Sequence, residues 1–134
     1  MSGTPAFDGK LPTRILLVED NDANRRLLSD FLSFCGYRIH SVATGSDFFA
    51  ALDEFQPDLI LLDLKLPGVD GFTLLEQLKH SMEWQHIPVI VISAFAFKAD
   101  QQRAIALGAS QYLIKPVGLE SLKQAVSQEL QCLN

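Results

Sequence analysis

The stretch Leu59-Ile60-Leu61-Leu62-Asp63 constrains this chain most. Four consecutive apolar residues end in one carboxylate. So short and uniformly apolar a run predicts a strand covered on both faces, the kind found in parallel sheets. Pro67, Gly68 and Gly71 then punctuate a loop, and Asp70 is suited to cap a helix that starts near Gly71. Asp63 is therefore expected at the carboxyl edge of a sheet, where open α/β sheets hold their ligands.

The same grammar recurs along the chain. Arg14 to Val18 reads as a buried strand that runs into Glu19-Asp20-Asn21. Asp20 or Asn21 can cap the following helix, whose face is Ala23, Leu27, Leu28, Phe31, Leu32 and Cys35 and whose stop is Gly36. Arg38 to Ala43 is a more polar strand. Gly45 to Phe55 reads as a helix, and Thr73 to Lys79 continues the helix after Asp63. Pro88 to Ile92 is a buried strand ending at Ser93-Ala94. Lys98 to Leu107 is a polar helix closed by Gly108. Gln111 to Ile114 is the last strand, ending at Lys115-Pro116, and the final helix buries Leu119, Leu122, Val126 and Leu130. Five alternations predict an α/β fold: a doubly wound, five-stranded parallel sheet with five helices on its two faces. The polar second strand suits an edge, which gives the order 2-1-3-4-5. The switch point between the first and third strands brings Glu19, Asp20 and Asp63 together.

A chain of 134 residues, 48% hydrophobic, suits one domain with a full core. Residues 1–13 carry Gly and Pro without periodicity and are expected to be a flexible leader, with the folded domain over 14–134. The net charge of −5 argues against nucleic acid as a partner. No stretch is apolar for long enough to span a membrane, so a cytoplasmic domain is expected. Cys35 and Cys132 are expected as reduced thiols. His40, His80 and His86 lack metal-ligand spacing.

The residues that can carry chemistry all follow apolar strands: Glu19 and Asp20, Asp63, Ser93 and Lys115. Four strand ends in register make one polar pocket. Three carboxylates repel one another, and one lysine cannot balance them; a hard cation such as Mg²⁺ can. A Ser hydroxyl and a Lys ammonium facing such a cation suit a phosphoryl group. Asp63, at the centre, is the candidate nucleophile.

These motifs resemble the receiver domains of two-component response regulators, CheY-like and of the type that consists of a receiver alone. The likeness covers about residues 14–131. It rests on Leu17-Val18-Glu19-Asp20-Asn21, on Asp63 with Leu66-Pro67-Gly68-Val69-Asp70-Gly71, on Ser93-Ala94, and on Tyr112-Leu113-Ile114-Lys115-Pro116. The resemblance implies a flavodoxin-like fold and a phosphorelay role. Asp63 would accept phosphoryl from a histidine kinase or histidine phosphotransfer protein. Asp20, Asp63 and the Lys65 backbone carbonyl would bind Mg²⁺, with Glu19 acting through a water. Ser93 and Lys115 would engage the phosphoryl oxygens, Tyr112 would be the rotamer switch, and the Lys115–Pro116 peptide would be cis. The fourth helix, last strand and last helix would face a downstream protein.

Two other classes compete. An aspartyl-nucleophile phosphatase on a similar sheet needs a second Asp two residues after the first, where this chain has Lys65. A flavodoxin-type module needs a phosphate-cradling loop, where this chain has Glu19-Asp20-Asn21-Asp22. An inert pseudo-receiver is disfavoured by the complete residue set. No output domain follows within the 134 residues, so either output through protein contacts or a place as a phosphate relay intermediate is expected. Lys65 and Phe95, two residues beyond Asp63 and Ser93, are expected at the pocket mouth. Neither helps water attack there, so a long-lived phosphoprotein is expected.

Overall fold

The computed structural model describes residues 12–131. Most of the leader expected over 1–13 lies outside these residues, as does Cys132. The elements, in order, are β1 (Arg14–Val18), α1 (Asp22–Phe34), β2 (Arg38–Val42), α2 (Phe48–Phe55), β3 (Leu59–Asp63), β4 (Lys65–Leu66), β5 (Val69–Asp70), α3 (Gly71–Lys79), β6 (Val89–Ser93), α4 (Lys98–Ala106), β7 (Gln111–Ile114) and α5 (Leu119–Gln131). The main sheet is parallel, in the order β2-β1-β3-β6-β7. Its five strands, counted alone, have the expected order 2-1-3-4-5. The polar strand β2 does take an edge.

Alternation along the strands splits the core in two. Leu16, Val18, Ile60, Leu62, Val89 and Val91 pack with residues of α2, α3 and α4. Ile15, Leu17, Leu59, Leu61, Ile90 and Ile92 pack with Leu28 and Leu32 of α1 and Leu122, Ala125 and Val126 of α5. Every residue of β3 is buried, Asp63 included. The apolar run therefore does what its composition requires: it lies at the sheet centre between two helical layers.

Two local differences from the sequence reading have clear causes. The segment after Asp63 is not wholly loop. Lys65–Leu66 and Val69–Asp70 pair antiparallel across Pro67-Gly68. Gly68 has φ of 76°, and Pro followed by a left-handed Gly is the type II turn pattern. Helix α2 begins at Phe48, not Gly45. Thr44 Oγ1 donates to Asp47 Oδ2 at 2.9 Å and accepts from the Asp47 N–H at 3.3 Å. That reciprocal turn holds residues 44–47 out of the helix.

Asp70 caps α3 as expected, its Oδ1 accepting from the Phe72 N–H at 3.1 Å. Gly71 packs directly under the Asp63 loop. A Cβ there would sit 2.4 Å from Leu64 Cα and 2.5 Å from the Leu64 carbonyl oxygen, which is backbone that cannot swing aside. Gly71→Ala is expected to destabilise the domain by about 3 kcal/mol, the upper range for overpacking. Urea unfolding checks this, with a change in midpoint and none in slope expected.

Candidate functional site

Strand parity aims the site's charges. Glu19, Asp63 and Lys115 extend the alternate rows of Leu17, Leu61 and Leu113, which face α1 and α5. At the carboxyl edge of the sheet these side chains meet. Lys115 Nζ donates to Asp63 Oδ2 at 2.7 Å and lies 2.8 Å from Glu19 Oε1. Both carboxylates are almost fully buried, at 2% and 1% exposure. The other oxygens are held by backbone: Asp63 Oδ1 accepts from the Lys65 N–H at 2.9 Å, and Glu19 Oε2 from the Asn21 N–H at 3.1 Å. The Lys115–Pro116 peptide is cis, as expected.

Electrostatics follow from this geometry. Burial pushes the Glu19 carboxyl up, against the opposing pull of Lys115 and the Asn21 N–H. Burial also works against the Lys115 charge, but its bonds to Asp63 and Glu19 outweigh that and hold the ammonium above the ordinary lysine value.

Asp20 is exposed and completes an acidic cluster. Glu19, Asp20 and Asp63 each offer an oxygen, and these lie within 4.8 Å of one another. Glu19 Oε1 is buried and has no aligned hydrogen bond in addition to its ion pair. An all-oxygen donor set with one arm open to water fits a hard divalent cation that keeps part of its hydration shell. The cluster borders a cavity of about 400 Å³, lined also by Lys65, Pro67 and Ala94.

The remaining expected residues form a separate chain of bonds. Ser93 is fully buried, and its Oγ accepts from the Phe95 N–H at 3.0 Å. The Tyr112 hydroxyl donates to the Phe95 carbonyl at 2.7 Å. Ser93 and Tyr112 extend the opposite rows of their strands, and the Tyr112 ring packs on the α2–α3–α4 side. Burial raises the Tyr112 phenol. Phe95 corrects the expectation of a mouth residue: it does not line the cavity but packs half-buried on that same cluster. Lys65 does line the cavity. The two chains of bonds are joined by the Lys115 N–H, which donates to the Ser93 carbonyl at 2.8 Å.

Comparison with known proteins places this arrangement. The model of the response regulator receiver domain matches residues 15–127. The chain belongs to that receiver-domain family. It is 34% identical over 120 residues to the polar-differentiation response regulator DivK of Brucella anthropi, covering 90% of this chain and 98% of that one. Among solved structures, the receiver domain of a putative LuxO repressor from Vibrio parahaemolyticus superposes with a TM-score of 0.80 at 32% identity, over 90% of this chain and 92% of that one. A CheY-like receiver domain protein of Methanospirillum hungatei gives 0.84 at 27%, over 90% and 95%. The doubly wound fold of this receiver is thus shared, and its place is in two-component signalling.

Of the two cap candidates, Asn21 is the one that caps α1, its Oδ1 accepting from the Asn24 N–H at 2.8 Å. Two site features of the receiver escaped the sequence reading: the Asn21 N–H donates to Glu19 Oε2 at 3.1 Å, and Arg25 Nη1 donates to the Glu19 carbonyl at 2.9 Å. Neither left a signal, because each uses a backbone group that nearly every residue has.

Removing Lys115 leaves two buried carboxylates without their cation. Lys115→Met is expected to destabilise the receiver by about 3 kcal/mol at neutral pH. Because the folded-state pKa of Lys115 is raised, its stabilisation is full below the ordinary value near 10.5 and fades as pH rises through the folded value. Urea midpoints at pH 8 and pH 11 check this. The gap between wild type and Lys115→Met should narrow at the higher pH.

Proposed function

We propose that Asp63 accepts a phosphoryl group from the phosphohistidine of a histidine kinase or histidine phosphotransfer protein, and that the receiver signals by changing its protein contacts. The observation that carries this reading is the meeting of Glu19, Asp20, Asp63 and Lys115 at one edge of the sheet beside an open cavity. In the transfer an Asp63 carboxylate oxygen forms a bond to phosphorus while the phosphorus–nitrogen bond to the donor imidazole breaks. Mg²⁺, held by Asp20, Asp63 and the Lys65 backbone carbonyl and reached by Glu19 through water, would neutralise charge on the phosphoryl oxygens.

The residues of the receiver do the rest. Lys115 already donates to Asp63 Oδ2 and can follow the new charge onto a phosphoryl oxygen. The Lys65 N–H holds Oδ1 and fixes the carboxylate plane. Ser93 Oγ accepts from the Phe95 N–H, and a turn of the side chain that aims its hydroxyl at the phosphoryl group would carry Oγ off that N–H, releasing it. That release alters the loop whose carbonyl Tyr112 holds, which supports Tyr112 as the switch. The output surface is α4, β7 and α5. Phe97 just before α4, Ile105 of α4 and Ile114 of β7 are its large exposed apolar side chains, at 78%, 49% and 41%. The only reaction assigned is the gain and loss of the receiver's own phosphoryl group. The net charge of −5 supports a protein target over nucleic acid. Likeness to the Brucella regulators adds polar differentiation as a candidate pathway.

Incubation with acetyl phosphate and Mg²⁺, followed by intact-mass measurement, is expected to show a gain of one phosphoryl group. Asp63→Asn, which keeps the shape without the nucleophile, should abolish it. An unchanged gain in Asp63→Asn would sink the assignment.

Lifetime is set at the cavity mouth. Lys65 lines it and is a donor, so it cannot orient a water as a base would. The phosphoprotein is expected to be long-lived. Lys65→Asn should shorten its half-life by about tenfold, ~1.4 kcal/mol in barrier. Phe95→Glu should leave it unchanged, because Phe95 packs on the buried cluster.

A further inference from the structure

Arg25 completes the first turn of α1, its N–H bonded to the Asn21 carbonyl, and its side chain turns back over the β1–α1 loop. Its Nη1 donates to the Glu19 carbonyl at 2.9 Å and reaches the Asp20 carbonyl at 3.5 Å, while Nη2 pairs with the Asp22 carboxylate. The side chain is only 23% exposed. The pair with exposed Asp22, three residues away on the same helix, contributes little by itself. The two carbonyls are a different matter. They belong to Glu19 and Asp20, whose carboxylates form the acidic cluster with Asp63. On the other side of the same loop the Asn21 N–H holds Glu19 Oε2. The loop is gripped by a guanidinium on its carbonyls and by an amide on its side chain.

We propose that Arg25 is a positioning residue for the acidic cluster: it clasps the Glu19–Asp20 backbone from outside the donor set, so that mutually repelling carboxylates stay together for a divalent cation. This rests on the Mg²⁺ reading above. Charge and clasp predict opposite signs. By charge alone, a guanidinium beside three carboxylates weakens their attraction for a dication, so its removal would tighten cation binding. As a clasp, its removal lets the loop relax and the carboxylates separate, so binding weakens. Lysine keeps the charge but lacks the planar fork that spans neighbouring acceptors.

The test is calorimetric titration of the full chain with MgCl₂ for wild type, Arg25→Ala, Arg25→Lys, Arg26→Ala and Asp20→Ala. Hydrogen exchange of the Asn21 amide is followed in the same proteins without Mg²⁺. Arg25→Ala should bind Mg²⁺ about tenfold more weakly, the usual loss for an outer-shell partner. Arg25→Lys should remain weakened, and Arg26→Ala, which removes an equal charge one residue away, should match wild type. Exchange of the Asn21 amide should accelerate in Arg25→Ala while core amides of β3 keep their protection. Equal or tighter binding by Arg25→Ala, full rescue by Arg25→Lys, or acceleration spread through the core would overturn the clasp. If wild type takes up no Mg²⁺, or Asp20→Ala binds as well as wild type, the Mg²⁺ reading fails; the exchange result then still judges the clasp separately.

Discussion

Lys115 holds two nearly buried carboxylates with one ammonium, and the rest of the edge is arranged around that imbalance. One positive charge cannot neutralise Asp63 and Glu19 together, and the exposed Asp20 adds a third negative charge nearby. Backbone N–H groups of Lys65 and Asn21 share the load. They come from two different loops, so the position of each loop relative to the sheet matters. The Gly71 contact with Leu64 and the type II turn at Pro67-Gly68 fix one loop; the Asn21 cap and the Arg25 bonds fix the other. The rigid strands between them supply a platform that does not yield, because β1, β3 and β6 are buried on both faces.

Much of this was legible in the sequence, for reasons of period and order. Continuous apolar runs identified β1, β3 and β6, and the polar character of Arg38 to Val42 placed β2 at the edge. Once the strands are parallel, their carboxyl ends must lie together, so Glu19, Asp63, Ser93 and Lys115 had to share an edge. Parity within each strand carries further than sequence position alone. It separates Glu19, Asp63 and Lys115 from Ser93 and Tyr112, which lie on the other face.

What stayed hidden depends on side chains bonding to backbone. Phe95 was expected at the mouth because it lies two residues past Ser93, which assumes an extended chain. The Ser93 hydroxyl instead closes a tight turn on the Phe95 N–H, and the ring goes down onto the buried cluster. The start of α2 moved for the same kind of reason, through Thr44 and Asp47. Arg25 left no mark at all, because its targets are carbonyl oxygens, and every residue has one. Ser, Thr, Asp and Arg compete locally with regular backbone bonding, and a pattern of apolar spacing is blind to that competition.

The same local bonds connect the acidic edge to the opposite face. The Lys115 N–H holds the Ser93 carbonyl, the Ser93 hydroxyl holds the Phe95 N–H, and the Phe95 carbonyl holds Tyr112. A hydroxyl that turns toward Asp63 must leave the Phe95 N–H without its acceptor. The half-buried loop then needs a new arrangement, and the carbonyl that anchors Tyr112 moves with it. The next element is α4, which buries a single residue, Ala104, and leaves Ile105 in water; Phe97, just before the helix, is in water too. A helix with so little core contact is held mainly by its neighbours: Arg103 lies over the Phe72 ring at 4.1 Å, and α4 runs on to β7 through Gly108. Small changes in the Ser93–Phe95 turn therefore act on the helix least able to resist them. That is the physical condition for a binding event at the sheet edge to shift a population rather than to deform a rigid body.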